Sequence, residues 1–134
     1  MHLPPAVIVH GLAQARAALA PGQPVTLLSA PGAAAYAGVG WWRALVAQAA
    51  GDGAAPPDIL DCADAPGRAL EALRHGQRLL VLHGVAASLF EDIAARGTAW
   101  GAVVLPEAPR ALDLATRGAE RRLADWLSGR ATTG

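Results

Sequence analysis

The sequence predicts a single α/β domain over residues 1–134, arranged as three layers: a roughly five-stranded, mainly parallel sheet with helices on both faces. Three observations carry this expectation. Short, continuous apolar runs (AVIV at 6–9, VTLL at 25–28, RLLVL at 78–82) have the pattern of strands buried on both sides. Each run is followed by a small-residue turn and then by Leu and Ala at helical spacing, the repeating unit of a β-turn-α chain. A chain of 134 residues with 53% hydrophobic composition is long enough and apolar enough to close one core. Right-handed crossovers between such units make the sheet parallel, and a flavodoxin-like strand order 2-1-3-4-5 is the expected arrangement.

Taken in order, Ala6 to Val9 follows Pro4-Pro5 as the first strand and ends at His10-Gly11. Leu12 to Ala20 is the first helix, stopped by Pro21-Gly22. Val25 to Leu28 is the second strand, after which Ser29 is placed to cap a helix and Pro31 to occupy its first turn. Gly38 and Gly40, each costing up to ~1 kcal/mol inside a helix, divide the next segment. Pro31 to Ala37 is therefore a turn or short helix, and Trp41 to Ala50 is the main helix. Asp58 to Cys62 is a third strand, followed by Asp64 as an expected N-cap and by a helix ending at Gly76, with Ala69, Leu70 and Leu73 inward. Arg78 to Leu82 is the fourth strand. The helix after it, from Ala86 to Arg96, turns Leu89, Phe90 and Ile93 to the core and ends at Gly97. Trp100 to Leu105 is the fifth strand; Ala111 to Leu114 is a short strand or a loop packing Leu112 and Leu114; Gly118 to Ser128 is the last helix.

Composition removes several classes of function. Eleven Arg, with no lysine in the chain, balance eleven Asp plus Glu, so no basic stripe marks a nucleic-acid partner. Without lysine there is no Schiff-base amine and no P-loop lysine; without asparagine, no asparagine oxyanion donor. One cysteine, Cys62, allows neither an intramolecular disulfide nor a multi-cysteine zinc site. No His-x-x-x-His spacing occurs, so no metal and no cofactor are expected. No apolar run approaches the ~20 residues of a membrane span, and the N-terminus lacks a basic signal-peptide region. The expectation is a cytoplasmic protein without a membrane partner.

In open α/β sheets ligands bind beyond the carboxyl ends of the strands, so the residues that follow each apolar run are the candidates: His10, Ser29, Asp61 with Cys62, His83 and Glu107. Cys62 as nucleophile with His10 or His83 as base, supported by Asp61, would make a cysteine-dependent enzyme. Ser29 to Gly32, and Asp64, Gly67 and Arg68 beyond the third strand, would instead cradle a small or anionic ligand with backbone N–H groups. CADAPGR at 62–68 has the Cys-x5-Arg spacing of the loop in cysteine-dependent phosphatases, but Asp64 and Pro66 spoil it as an anion cradle. Gly38-Val39-Gly40 lacks the third glycine of a dinucleotide fingerprint. Trp41 and Trp42 point ~100° apart on a helix, so either both pack into the core or one does and the other meets a ligand or subunit, with Trp42 the candidate for ligand contact.

The stretches SAPGAAAYAG-x-GWW, LDCADAPGRALEALRHG and ALDL together resemble small α/β proteins of proteobacteria that carry no assigned activity. That resemblance implies no catalytic residue. The functional expectation is a homo-oligomeric domain that binds a small or anionic ligand at its strand ends; the alternatives are a cysteine-dependent enzyme using Cys62 with His10 or His83, and a structural or protein-interaction module.

Overall fold

The computed structural model describes residues 2–129. Its elements are β1 (Ala6–Val9), α1 (Leu12–Leu19), β2 (Thr26–Ser29), α2 (Ala33–Tyr36), α3 (Val39–Ala50), β3 (Asp58–Asp61), α4 (Pro66–Arg74), β4 (Leu79–Val81), α5 (Ala87–Ala99), β5 (Val103–Leu105), β6 (Ala111–Asp113) and α6 (Ala119–Leu127). The α/β class and the alternation of strand and helix are as expected. The strand order is not: all pairings are parallel, but the sheet has six strands in the order β5-β4-β3-β2-β1-β6. The flavodoxin-like 2-1-3-4-5 order is therefore corrected. Consecutive units step one strand at a time in one direction, as in (β/α)8 barrels, with no switch point in the middle of the sheet.

This winding places the helices on one face only. Val7, Val9, Leu27, Leu60, Cys62, Leu80, Leu82, Val104 and Leu112 pack in one cluster with the inward residues of α1, α3, α4, α5 and α6. The alternate strand positions form a separate cluster around Leu28, Ile59 and Val81, with Ile8, Leu79, Leu105 and Ala111 packed on it and no helical residue among them. The expected helices on both faces are thus corrected to a helix layer over one face, the strands supplying both clusters.

The connection from β5 to β6 requires the sheet to curl. Six Cα steps from Leu105 to Ala111 reach at most ~21 Å, whereas five strand spacings across a flat sheet come to ~24 Å, and β5 and β6 lie at its opposite edges. Helices pack 8–10 Å apart and strands ~4.8 Å apart, so one helix per strand fits only on the outside of the curve. The second cluster consequently lines the concave face. The register tilts across it: Asp113, Ile8, Leu28 and Ile59 form one row, and Asp61, Val81 and Leu105 the next.

Two local details depart from expectation. α5 runs through Gly97 to Ala99; a Cβ at Gly97 would lie 3.2 Å from Val104 Cγ2, so glycine there permits close helix-strand approach and does not end the helix. Leu89 on α5 is 39% exposed, so of the three expected residues Ile93 and the partly buried Phe90 face inward, joined by Ala94.

Candidate functional site

The carboxyl ends of the strands open on the concave side, and pleat alternation decides which side chains reach it. Ile8 lines the concave face, so His10, two residues on, points the same way, as does Asp113, the register partner of Ile8. Their side chains meet: His10 Nε2 lies 2.8 Å from Asp113 Oδ1, with 37% and 35% of the two side chains exposed. The same Oδ1 accepts the Ala115 N–H at 2.9 Å, and the Gln14 Oε1 accepts the His10 backbone N–H at 2.8 Å. The imidazole thus bridges β1 to the edge strand β6 through Nε2. This tautomer-fixing arrangement leaves the other ring nitrogen for a ligand.

Asp61 also faces the concave side, being paired with Val81, but it is 4% exposed. Its Oδ1 accepts the N–H groups of Gly32 at 3.2 Å and Ala63 at 2.8 Å. Gly32 has φ +73 and is the N-cap of α2 without a side-chain cap. The expected anion cradle at Ser29 to Gly32 is therefore corrected: the anion it holds is the chain's own Asp61 carboxylate, which fastens the β2–α2 turn over the end of β3. Ser29 caps no helix; its hydroxyl donates to the Ala30 carbonyl at 3.1 Å and accepts the Asp61 N–H at 2.9 Å.

His83 continues the concave alternation beyond Val81, and its N–H extends the ladder to the Ala63 carbonyl at 2.9 Å. It is exposed and lines a cavity of about 290 Å³ with Phe90, Val85, Pro106 and Glu91, between the ends of β4 and β5 and the start of α5. Glu107, just past β5, is exposed.

Cys62 lies on the opposite face. Its side chain is 0% exposed within the helix-packed cluster, its nearest acceptor is the Leu60 carbonyl at 3.9 Å, and burial pushes its thiol up to about 12, with the Asp61 and Glu71 charges adding to the effect. A nucleophile needs an accessible thiolate, and this thiol is neither accessible nor acidic. Cys62 is corrected to a core residue. The cause is parity: Cys62 is one residue past Asp61, so it points the other way.

The remaining candidates separate similarly. Trp42 is 0% exposed and its Nε1–H donates to Asp58 Oδ1 at 2.9 Å, so the expected ligand contact is corrected to a core role; Trp41 is the exposed member at 37%. Asp64 is exposed, but Ala65 is the N-cap of α4 and no side chain caps it. Gly67 is exposed in the first turn of α4, and Arg68 is paired on the surface with Glu71 at 2.8 Å. Among the described residues no group of His, Cys, Asp and Glu is placed to hold a metal ion, and no helix is long and apolar enough to cross a membrane.

The residue that sequence reasoning missed is Asp113. It sits in A-L-D-L, where Leu112 and Leu114 face the helices and the aspartate between them must face the other side. Assigning that segment as a strand would have brought Asp113 under the strand-end rule.

No protein-family model and no curated protein matches the chain. Among solved structures, the chain is similar to a putative fructose-1,6-biphosphate aldolase from Coccidioides immitis, with 23% identity and a TM-score of 0.57 over 76% of this chain and 40% of that one. The chain thus spans less than half the length of that neighbour, and the similarity concerns the fold.

Proposed function

We propose that the concave mouth, at the carboxyl ends of the strands, binds a small polar ligand that is neutral or cationic, with His10 as its hydrogen-bonding group. The observation that supports this reading is the His10–Asp113 pair, open to solvent at the end of an apolar curled sheet. Each residue comes from a different strand end, the placement of functional groups in βα barrels. His83, exposed at the end of β4, borders a separate cavity beside Phe90. Asp113 at the mouth, and Asp61 already accepting the Gly32 and Ala63 N–H groups, disfavour an anionic ligand.

A second reading follows from the same pair. An imidazole held by a carboxylate is a general base, so the ligand can be a substrate whose proton His10 accepts, without any thiol nucleophile. Carbonyl chemistry through a lysine Schiff base is not available to a chain without lysine.

The test is amide and imidazole NMR during titration with ribose, ethanolamine and inorganic phosphate as neutral, cationic and anionic probes. Ribose or ethanolamine is expected to move His10 and Asp113 together, and His10→Ala to abolish the response. A response to phosphate alone, or none at these residues, overturns the reading.

A further inference from the structure

The opposite end of the sheet holds a cavity of about 580 Å³, lined by Pro56, Pro57, Asp58, Arg78, Leu79, Gly101 and Val103. It opens at the amino ends of β3, β4 and β5, away from the His10–Asp113 pair. That end of a βα barrel ordinarily serves stability alone. Here its concave row is incomplete: Ile59 and Leu28 are 0% and 1% exposed, while Val103, in the same row, is 43% exposed, and the neighbouring Trp100 is 52% exposed.

The polar groups around this cavity differ in how they are satisfied. The Asp58 carboxylate is consumed: its Oδ1 accepts from Trp42 Nε1, Arg43 NH1 and Gln77 Nε2 at 2.9, 3.0 and 2.7 Å. Arg43 neutralises it from the helix side. Arg78 has no such partner; among the described residues it makes no ion pair and no side-chain hydrogen bond. Its guanidinium lies against Gly101, where an added Cβ would be 3.6 Å from NH1. A cavity of this size is within the range that takes a small organic molecule, and apolar walls with one free guanidinium select an apolar body ending in a carboxylate, which arginine binds through two parallel N–H donors.

We propose that this cavity is a binding site for a small amphipathic carboxylate, its chain lying on Leu79, Val103 and the Pro56-Pro57 turn and its head group on Arg78. The site is separate from the concave mouth and does not depend on the ligand proposed there.

The probe is octanoate, with octanol and octylamine as controls, followed by amide NMR on the full chain. Octanoate is expected to move Leu79, Gly101 and Val103 while leaving His10 and Asp113 in place, and to bind on the order of tenfold more tightly than octanol, a typical gain for one charge-assisted pair. Arg78→Gln is expected to remove that preference and leave octanol binding unchanged. Arg78 is exposed, so this variant keeps the fold, which the dispersion of the same spectra verifies. Val103→Glu sets a carboxylate inside the cavity and is expected to abolish octanoate binding while allowing octylamine. Equal affinity of the Arg78→Gln protein for octanoate, octylamine bound as well as octanoate by the parent protein, or shifts confined to the mouth would each overturn the proposal.

Discussion

β3 begins and ends with an aspartate, and the two are held in different ways. Asp58, at the amino end, is met by side chains: Trp42 and Arg43 from α3 and Gln77 from the turn before β4. Gln77 is itself 1% exposed and also donates to the Leu79 carbonyl at 2.8 Å, so this network joins β3, β4 and α3. Asp61, at the carboxyl end, is met by backbone, through Gly32 and Ala63 N–H. The first joins elements across the helix layer, whereas the second shapes one turn. Neither carboxylate is offered to a ligand, although both stand at strand ends. Being polar at a strand end is therefore not sufficient to make a residue functional; what separates His10 and Asp113 from them is that their pair remains about one-third exposed.

The contrast is broken most severely at Trp42. Trp42→Ala empties the largest fully buried side chain and removes a donor from Asp58. A loss of about 4 kcal/mol is expected from the cavity and the broken network, read as a fall in the urea midpoint at unchanged slope. A loss below about 1 kcal/mol would mean that α3 is not anchored through this network.

Asp61→Ala is expected to cost less, about 2 kcal/mol, since it strands two backbone N–H groups near a surface turn without opening a large void. Hydrogen exchange should localise the damage, with Gly32 and Ala63 losing protection while Leu60 and Leu80 retain it. Global loss of protection would show that Asp61 acts like Asp58 after all.

These two positions also show what was legible in the sequence. The strands, the helices and the strand-end rule followed from apolar runs and punctuation, and they located His10, Asp61 and His83 near the right edge. Strand order did not follow, because local patterning is the same for units that step in one direction and for units that reverse; the distinction rests on which crossover each unit makes. Continuous apolar runs predict helices on both sides, but curling also buries the inner row, where Leu28 and Ile59 pack with Val81. Cys62 and Trp42 differ from expectation because neighbours lie on opposite faces: one residue along the strand moves from Asp61 on the concave side to Cys62 in the helix-packed cluster, and one residue along the helix moves from the 37% exposed Trp41 to the fully buried Trp42.

Cys62 tests that parity directly. Iodoacetamide at mildly alkaline pH is expected to leave the native thiol unmodified and to label it only as denaturant unfolds the chain, because the buried, protonated form does not react. The linkage has a definite sign. A native pKa raised from 9.0 to about 12 means that the native state holds its proton longer than the unfolded state. The associated stability is full below pH 9 and declines as pH rises from 9 toward 12. The stability difference between the parent protein and Cys62→Ala should therefore shrink over that window; a pH-independent difference would place the thiol in solvent.

The smallest structural effect is expected where the functional consequence is largest. His10 and Asp113 are partly exposed, and exposed pairs of this kind contribute about 0.5 kcal/mol or less. His10→Ala and Asp113→Asn should thus melt within a few degrees of the parent protein, unlike Trp42→Ala and Asp61→Ala. Both should nevertheless lose the ribose or ethanolamine response at the mouth: the first because the imidazole is gone, the second because an amide no longer draws the Nε2 proton and the ring loses its fixed orientation. Asp113→Glu, which keeps the charge on a longer arm, should recover part of the response. If the pair instead served to fasten β6 to β1, the three variants would rank by stability and the ligand response would fall only in proportion to unfolding. A response lost in fully folded His10→Ala protein is a result that a fastening role does not produce.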